Sequence, residues 1–264
     1  MPSGVELIER FEAFAPRDLA VPGDPIGVQI GDPRRPIQRL LVTLDVRPEV
    51  VAEAIATHAD MIFAHHPAVF RPLANLDLRD PQKQMYATCL RHDILVYAAH
   101  TNLDRVSGGM NDWLATALAL QNIRAFIDAG PEASMGRIGE LKSEQSLSAF
   151  VNTVKQAFRV PGLRVIANDL DRPVRSVAIL GGDGGKFYLD AQAAGADVYI
   201  TGDVYYHTGH DMLAADMPVI DPGHHIESIM KPKVQALIQG WAQEAGWSLD
   251  IRTSQLNTDP YTFM

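Results

Sequence analysis

The sequence predicts an α/β fold composed of two similar α/β halves that arose by internal duplication. Two observations carry this prediction: short apolar strands alternate with amphipathic helices, and one strand–helix–strand pattern occurs twice. Strands without polar residues suit a parallel sheet that is covered on both faces. We place the first half at residues 1–130 and the second at residues 131–264, with the junction in the less patterned stretch 125–145 around Pro131 and Gly136.

The repeated pattern is a strand, a helix and a second strand. The first copy is Arg39–Leu44, Pro48–Ile55 and Asp60–Ala64, and the second is Ser176–Leu180, Lys186–Ala194 and Asp197–Ile200. A shift of 137 positions places the second strands over each other and, without a gap, the first strands as well. Chance likeness between two such units is the alternative interpretation.

The pattern continues into a third strand in each half. Leu95–His100 matches Val219–His224, and each segment ends in a histidine that an acid follows within four residues, Asp104 or Glu227. Amphipathic periodicity predicts further helices. These are Val5–Phe14, Gln82–His92, Asn111–Leu120, Leu147–Phe158 and Ile226–Ala245.

Composition excludes several classes of function. The 264 residues include 32 acidic and 23 basic side chains, and the net charge of −9 argues against a nucleic-acid or membrane-surface protein. The single cysteine, Cys89, excludes an intrachain disulfide and a thiolate metal pair. We find neither a signal-peptide pattern nor an apolar run of about 18 residues, and therefore expect a cytoplasmic protein.

Histidines and acids follow three of the predicted strands, at the end of a parallel sheet where ligands collect. They are His65 and His66, then His100 and Asp104, then His224 and Glu227. Imidazole and carboxylate groups bind Zn, Fe, Mn or Co, and a carboxylate can bridge two cations. The sequence therefore indicates a metal centre, and the donors suffice for one cation or two.

Local geometry limits how these groups can meet. Neighbouring residues of a strand point to opposite faces, so His65 and His66 converge only where Pro67 breaks the strand, unless each reaches its own metal. His224 and Glu227 are three residues apart at the start of a helix and share one face. We assign His100 a supporting or proton-shuttling role.

Two further segments follow strands of the second half. Gly181–Lys186 opens a helix and can present backbone N–H groups to a phosphate, although it matches no established phosphate-loop pattern. A tight strand–helix turn is the other interpretation. Asp203 and His207 lie at the same predicted sheet edge, where supporting or structural roles fit them better than ligation.

Taken in order, the motifs resemble a family of proteins with dinuclear metal centres, often labelled GTP cyclohydrolase I type 2 homologs and also called Nif-three-like. The segments that carry the resemblance span nearly the whole chain. They are Gly23–Gly31, Ala64–Pro67, His100–Asp104, Gly108–Asp112, Thr201–Asp203 and Asp221–Glu227.

The resemblance implies a toroidal homohexamer in which two divalent metal ions lie between the two halves of each chain. Its ligands, carried onto this sequence, are His65, His66, Asp104, His224 and Glu227, with Glu227 as the bridging carboxylate. Some relatives carry a large domain inserted between the halves, which this chain lacks.

Three hypotheses for function follow. The first is a metal-dependent hydrolase, similar to GTP cyclohydrolase I type 2, whose small-molecule substrate is a nucleotide. The second is a non-enzymatic hexameric ring that acts as a scaffold or regulator and uses its metal for structure or sensing. The third, a ring that binds nucleic acid, requires a basic cavity and fits the net charge of −9 poorly.

Overall fold

The computed structural model describes residues 1–127 and 135–264, and these form a mixed α/β structure. The helices are α1 (Gly4–Phe14), α2 (Pro48–Ala56), α3 (Pro81–Arg91), α4 (Thr101–Arg105), α5 (Met110–Ala117), α6 (Leu147–Phe158), α7 (Tyr188–Ala193), α8 (Tyr206–Ala214) and α9 (Met230–Ala245). The strands are β1 (Gly27–Ile30), β2 (Arg39–Thr43), β3 (Met61–Ala64), β4 (Leu95–Ala98), β5 (Gln121–Arg124), β6 (Arg137–Ser146), β7 (Arg164–Ile166), β8 (Pro173–Asp183), β9 (Val198–Gly202), β10 (Val219–Asp221) and β11 (Asp250–Thr253).

The chain divides into two compact units, each built around one sheet. Unit 1 comprises residues 1–103 and 230–258, and unit 2 comprises residues 104–229 and 259–264. These units differ from the continuous halves 1–130 and 131–264, because α9 and β11 belong to unit 1 and Asp104 belongs to unit 2. The predicted boundary between 130 and 131, like Pro131, lies outside the described residues and stays a prediction.

Unit 1 holds a five-stranded sheet in the order β1-β4-β3-β2-β11. The pairs β4–β3, β3–β2 and β2–β11 are parallel, as the apolar strands predict, and only the edge strand β1 runs antiparallel. Every residue of the central strand β3 is buried. Its Phe63 packs against Phe11 of α1, with ring centroids 4.7 Å apart, which anchors one side of the sheet.

Unit 2 holds a six-stranded sheet in the order β5-β6-β8-β9-β10-β7. Only β8–β9 and β9–β10 are parallel, whereas β5, β6 and β7 add antiparallel strands at the edges. The core of this unit includes Tyr199 of β9, Met212 of α8 and Ala191 of α7, all completely buried. The parallel centre therefore matches the predicted strand–helix–strand unit, and the antiparallel edges are additions to it.

The first two parallel strands of the repeat pair in the same register in both sheets, which confirms the predicted duplication. Leu40 pairs with Met61 in unit 1, and Val177 pairs with Val198 in unit 2, at the predicted shift of 137 residues. His58 and Gly195, which are also 137 residues apart, both adopt positive φ angles in the turn before the second strand.

An acidic side chain closes the same turn in both units. The carboxylate of Asp60 accepts hydrogen bonds of 2.8 Å from the backbone N–H groups of Gln38 and Arg39. The carboxylate of Asp197 accepts the equivalent bonds, of 2.9 and 2.7 Å, from Arg175 and Ser176. Each acid thus ties the start of one strand to the start of the next.

The third strand of the repeat corrects the predicted alignment by one residue. Val96 and Val219 occupy equivalent positions, because each pairs with the same residue of its central strand. The counterpart of His100 is therefore Gly223, and the predicted match with His224 is wrong. The sequence alignment was set by matching the two histidines, because the apolar residues of these strands do not by themselves define the register.

Among the described residues, no helix is both long and apolar enough to cross a bilayer.

We predict that Asp60→Ala and Asp197→Ala destabilise the protein by a similar amount. Each removes a charged acceptor from two backbone N–H groups, a loss of about 1.5–3 kcal/mol in the free energy of unfolding. Urea unfolding measures this loss. Asp211→Ala, on the exposed face of α8, is the control and should change the unfolding free energy by less than about 0.5 kcal/mol. A strongly unequal response of Asp60 and Asp197 would contradict their equivalence.

Candidate metal centre

In unit 1, the chain turns at the end of β3 so that two adjacent histidines lie together. The backbone N–H groups of His65 and His66 both donate to the carbonyl of Leu44, at 3.2 and 3.0 Å, which ends the extended geometry of the strand. The two imidazole rings then lie with their centroids 4.9 Å apart. The strand therefore ends at this point and the rings of His65 and His66 converge, which is one of the two arrangements that the sequence predicts.

Hydrogen bonds at Nδ1 hold both rings. His65 Nδ1 donates to the carbonyl oxygen of Ala99 at 2.8 Å, and His66 Nδ1 donates to Asp45 Oδ1 at 2.7 Å. Because these oxygens act as acceptors, the proton of each neutral ring lies on Nδ1 and the lone pair on Nε2. Thr258 in turn donates its hydroxyl to the other oxygen of Asp45. Metal-binding histidines in proteins are commonly oriented in this way.

His100 belongs to the same cluster. Its ring centroid is 5.2 Å from that of His65 and 5.6 Å from that of His66, and each of the three offers a ring nitrogen within 4.8 Å of the others. His100 Nδ1 donates to Asp24 Oδ1 at 3.0 Å. This histidine triad, defined as His65, His66 and His100, can hold a metal ion.

Asp24 is the anchor of His100. Its other oxygen accepts hydrogen bonds from the backbone N–H and the hydroxyl of Thr101. Burial opposes ionisation of this carboxyl, but the hydrogen bonds from His100 and Thr101 outweigh that effect and hold the pKa of Asp24 below its ordinary value. Asp24 therefore carries a negative charge next to His100 at neutral pH.

In unit 2, His224 and Glu227 lie in a 3₁₀ segment, His224–Ile229, rather than in the predicted α-helix. Residues i and i+3 eclipse in a 3₁₀ helix, so the two side chains point the same way. His224 Nε2 and Glu227 Oε2 are 3.2 Å apart, and His224 Nδ1 donates to Asp203 Oδ2 at 2.7 Å. Glu227 is buried, with 2% of its surface exposed.

Glycines behind Glu227 leave space for its carboxylate. A Cβ atom on Gly181 would lie 2.7 Å from Glu227 Oε1, and one on Gly182, which has φ +66°, would lie 3.0 Å from the same atom. Thr201 accepts the N–H of Gly184 through its hydroxyl. Gly181 and Gly182 thus form a packed turn behind a predicted ligand, as the tight-turn interpretation expects, and phosphate binding by the Gly181–Lys186 loop stays an untested alternative.

Asp104 is connected to this glycine turn through a buried amide. Asn111 Nδ2 donates to the backbone carbonyl of Asp104 at 3.0 Å, and Asn111 Oδ1 accepts the N–H of Gly181 at 3.0 Å. Asn111 is completely buried and Asp104 is 7% exposed. The amide therefore fixes the backbone position of Asp104 relative to the turn that backs Glu227.

The donor groups in each unit fit a divalent cation. Two ligand atoms about 2.1 Å from one cation, at a tetrahedral angle, lie about 3.4 Å apart, close to the 3.2 Å between His224 Nε2 and Glu227 Oε2. In unit 1 the anchored Nδ1 atoms leave Nε2 as the donor of His65 and of His66. Ligation by His65, His66, Asp104, His224 and Glu227 stays a prediction.

Sequence reasoning missed several supporting residues. Asp45 follows the carboxyl end of β2. Ligands collect at the carboxyl ends of parallel strands, so the argument that singled out His65 applies to Asp45 as well. Asp24 and Asn111 lay within quoted motifs but received no role. Asp203 has the predicted supporting role, whereas His207 lies exposed on α8 with its ring against Tyr206.

Comparison with known proteins agrees with the resemblance. The profile of the Duf34/NIF3 family (NGG1p interacting factor 3) matches residues 3–260. A Streptococcus pneumoniae protein named GTP cyclohydrolase 1 type 2 homolog is 44% identical over 259 residues, which cover 97% of each chain. A Bacillus subtilis protein of the same name is 32% identical in an alignment of 369 residues that covers 99% of each chain, so it carries a long stretch that has no counterpart here.

A solved structure shows the same fold. The Bacillus cereus protein related to NIF3 superposes with a TM-score of 0.94 at 32% identity, covering 100% of this chain and 99% of that one. The family profile spans nearly all residues and the relatives match at full length. The chain belongs to the Duf34/NIF3 family.

Proposed function

We propose that the protein is a metal-dependent hydrolase whose two divalent cations are bound by His65, His66, Asp104, His224 and Glu227. The observation that carries this proposal is the anchoring of the three predicted histidine ligands, His65, His66 and His224. In each of them Nδ1 donates to a carbonyl or carboxylate oxygen, which leaves Nε2 as the donor to a cation.

A pair of divalent cations would lower the pKa of a water molecule and polarise the bond that this water attacks. The protein's part is to hold the ligands. Asp45 and Asp203 keep His66 and His224 in the required tautomer, and the glycine turn at 181–182 leaves room for the carboxylate of Glu227. Preorganised ligands spare the cost of ordering these side chains when the cations bind.

The histidine triad could hold a metal ion, but the proposed set of five ligands leaves His100 available to move a proton. The carboxylate of Asp24 accepts the Nδ1 proton of His100, which leaves Nε2 as the ring atom that can take up or release a proton. A histidine in this position can accept a proton at Nε2 and return it to a leaving group. We therefore propose His100 as the general acid or base of the hydrolysis.

The proposed substrate is a purine nucleotide, which a cyclohydrolase would open at the base. The names of the relatives, GTP cyclohydrolase 1 type 2 homolog, support this substrate class.

We also propose that the protein is a cytoplasmic homohexamer. Light scattering measures the number of subunits directly. A turnover assay on metal-loaded protein separates the hydrolase from the scaffold or regulator, since full cation content without turnover of any nucleotide, phosphoester or amide favours the latter.

Replacing Glu227 with Gln should lower cation content and hydrolysis together. The amide keeps the shape of the side chain but removes the charge, and we expect cation affinity to fall by at least about tenfold. Elemental analysis and a hydrolysis assay on the same sample measure both effects. Glu140→Gln, on a partly exposed glutamate of β6, is the control. Full cation occupancy in Glu227→Gln would reject Glu227 as a ligand.

Replacing His100 with Gln should separate cation binding from chemistry. We expect unchanged cation content and a fall in turnover of about 10²–10⁴-fold, the usual contribution of a general acid or base. His92→Gln, at the exposed end of α3, is the matched control. If His100→Gln instead lost a cation, His100 would be a ligand and its assignment as proton carrier would be wrong.

Replacing Gly181 with Ala should weaken cation binding by displacing the carboxylate of Glu227. The new methyl group would lie 2.7 Å from Glu227 Oε1, so the carboxylate must move. Titration calorimetry with Mn²⁺ should show at least about tenfold weaker binding. In Gly240→Ala the new methyl group lies more than 4 Å from every described atom outside its own stretch of helix, and this control should bind Mn²⁺ as the wild type does. Equal affinity in both variants would contradict the role given to the glycine turn.

A further inference from the structure

A cavity of about 310 Å³ opens in unit 2 beside Gly223, the residue that precedes the predicted ligand His224. Asp203 and Gly223 form part of its wall, and Asp203 is the residue that accepts the Nδ1 proton of His224. The volume lies at the lower end of the range for small-molecule sites. The cavity is therefore large enough for one small ring system, and one residue links it to the candidate metal centre, Asp203, which anchors the predicted ligand His224.

Aromatic side chains from the C-terminal segment form one side of the cavity. Tyr261 and Phe263 line it and are 68% and 52% exposed. Both are held by local structure: Asp259 accepts the N–H of Tyr261 at 3.0 Å, and the ring of Phe263 lies against Gly162, where a Cβ atom would be only 2.9 Å from it. Exposed but positioned aromatic rings suit stacking with a flat ligand.

The polar wall pairs a donor with an acceptor. Arg164 forms an ion pair with the buried carboxylate of Asp221, which also accepts the N–H groups of Val204 and Gly223. Arg164 has five N–H donors, of which this pair uses one, and its side chain is 64% exposed. Asp203 supplies a carboxylate that is 37% exposed. A ligand in the cavity therefore meets both N–H donors and a carboxylate acceptor.

The charges of the wall disfavour an anionic ligand. One guanidinium faces two carboxylates, Asp203 and Asp221, so the cavity carries a net negative charge. A phosphate group would be repelled here, whereas a neutral ring with a polar edge would not. Guanine presents O6 and N7 as acceptors, which suit arginine, and N–H donors, which suit a carboxylate.

We propose that this cavity binds the guanine ring of the substrate, with Tyr261 and Phe263 stacking on the ring and Arg164 and Asp203 contacting its polar edge. The inference rests on the proposed function, because a ring bound here becomes a substrate only if the neighbouring centre is hydrolytic. It assigns base recognition to unit 2 and leaves the phosphates outside the cavity.

Binding of guanosine, which lacks phosphate, tests the proposal without relying on turnover. Titration calorimetry on the metal-loaded protein should show binding of guanosine and at least tenfold weaker binding of adenosine. Tyr261→Leu and Phe263→Leu should each weaken guanosine binding about tenfold or more, as expected when a stacking ring is lost. Arg164→Lys keeps a charge beside Asp221 but loses the planar fork, and should reduce the preference for guanosine over adenosine.

Tyr206→Leu is the control, because Tyr206 is also exposed, at 77%, and lines a neighbouring cavity that shares Arg164 and Asp221 with the proposed site but neither of its aromatic residues. It should bind guanosine as the wild type does. Absence of guanosine binding, equal binding by the Tyr261, Phe263 and Tyr206 variants, or competition by inorganic tripolyphosphate as effective as that by guanosine would each overturn the proposal.

Cation content and hydrolysis of GTP, measured on the same samples, keep the two proposals apart. If wild-type protein holds cations and hydrolyses GTP while the Tyr261 and Phe263 variants retain the wild-type KM, the cavity assignment fails and the hydrolase stands. If guanosine binding depends on Tyr261 and Phe263 but the protein neither holds cations nor turns over GTP, the hydrolase fails and base recognition stands.

Discussion

The proposed metal centre depends on one physical constraint, the hydrogen bond that fixes Nδ1 of each of four histidines. They are His65, His66, His100 and His224. Carbonyl or carboxylate oxygens of Ala99, Asp45, Asp24 and Asp203 accept these protons at 2.7–3.0 Å. An imidazole held in this way has one tautomer and one direction for its remaining lone pair. The acceptors lie at strand ends or in adjacent turns, so the rigidity of each sheet is passed to the rings. Without them, the histidines would be ordinary polar residues that pay side-chain entropy on binding any cation.

The duplication explains how two units with the same register in their central strands came to support different groups. The register of the central strands and the acid that closes the first turn are preserved at the shift of 137 residues. The strand ends are not preserved: His66 corresponds to Asp203, and Asp45, which anchors His66, corresponds to Gly182 of the turn behind Glu227. Backbone hydrogen bonding constrains the strands in both copies, whereas the residues beyond the strand ends have changed.

Periodic segments were predictable from sequence, and features that depend on distant residues were not. Helix α6 has the predicted bounds, Leu147–Phe158, because a full amphipathic pattern and the N-cap Ser146 define it locally. The return of β11 to pair with β2 brings together residues about 200 positions apart, and no local pattern signals it. The predicted ligands came from strand ends and from the family resemblance. Their anchors Asp24 and Asp45 were missed, because an acid in a loop reveals its partner only in the folded chain.

The most direct test of the account is anomalous X-ray diffraction from crystals of protein purified without chelators and grown with Mn²⁺. We expect two anomalous peaks per chain, each within coordinating distance of atoms from the set His65, His66, Asp104, His224 and Glu227, with Nε2 as the donor of each histidine. Crystals that show no peak at these side chains, or that place the cations on other residues, would contradict the central claim that the anchored histidines form a metal centre.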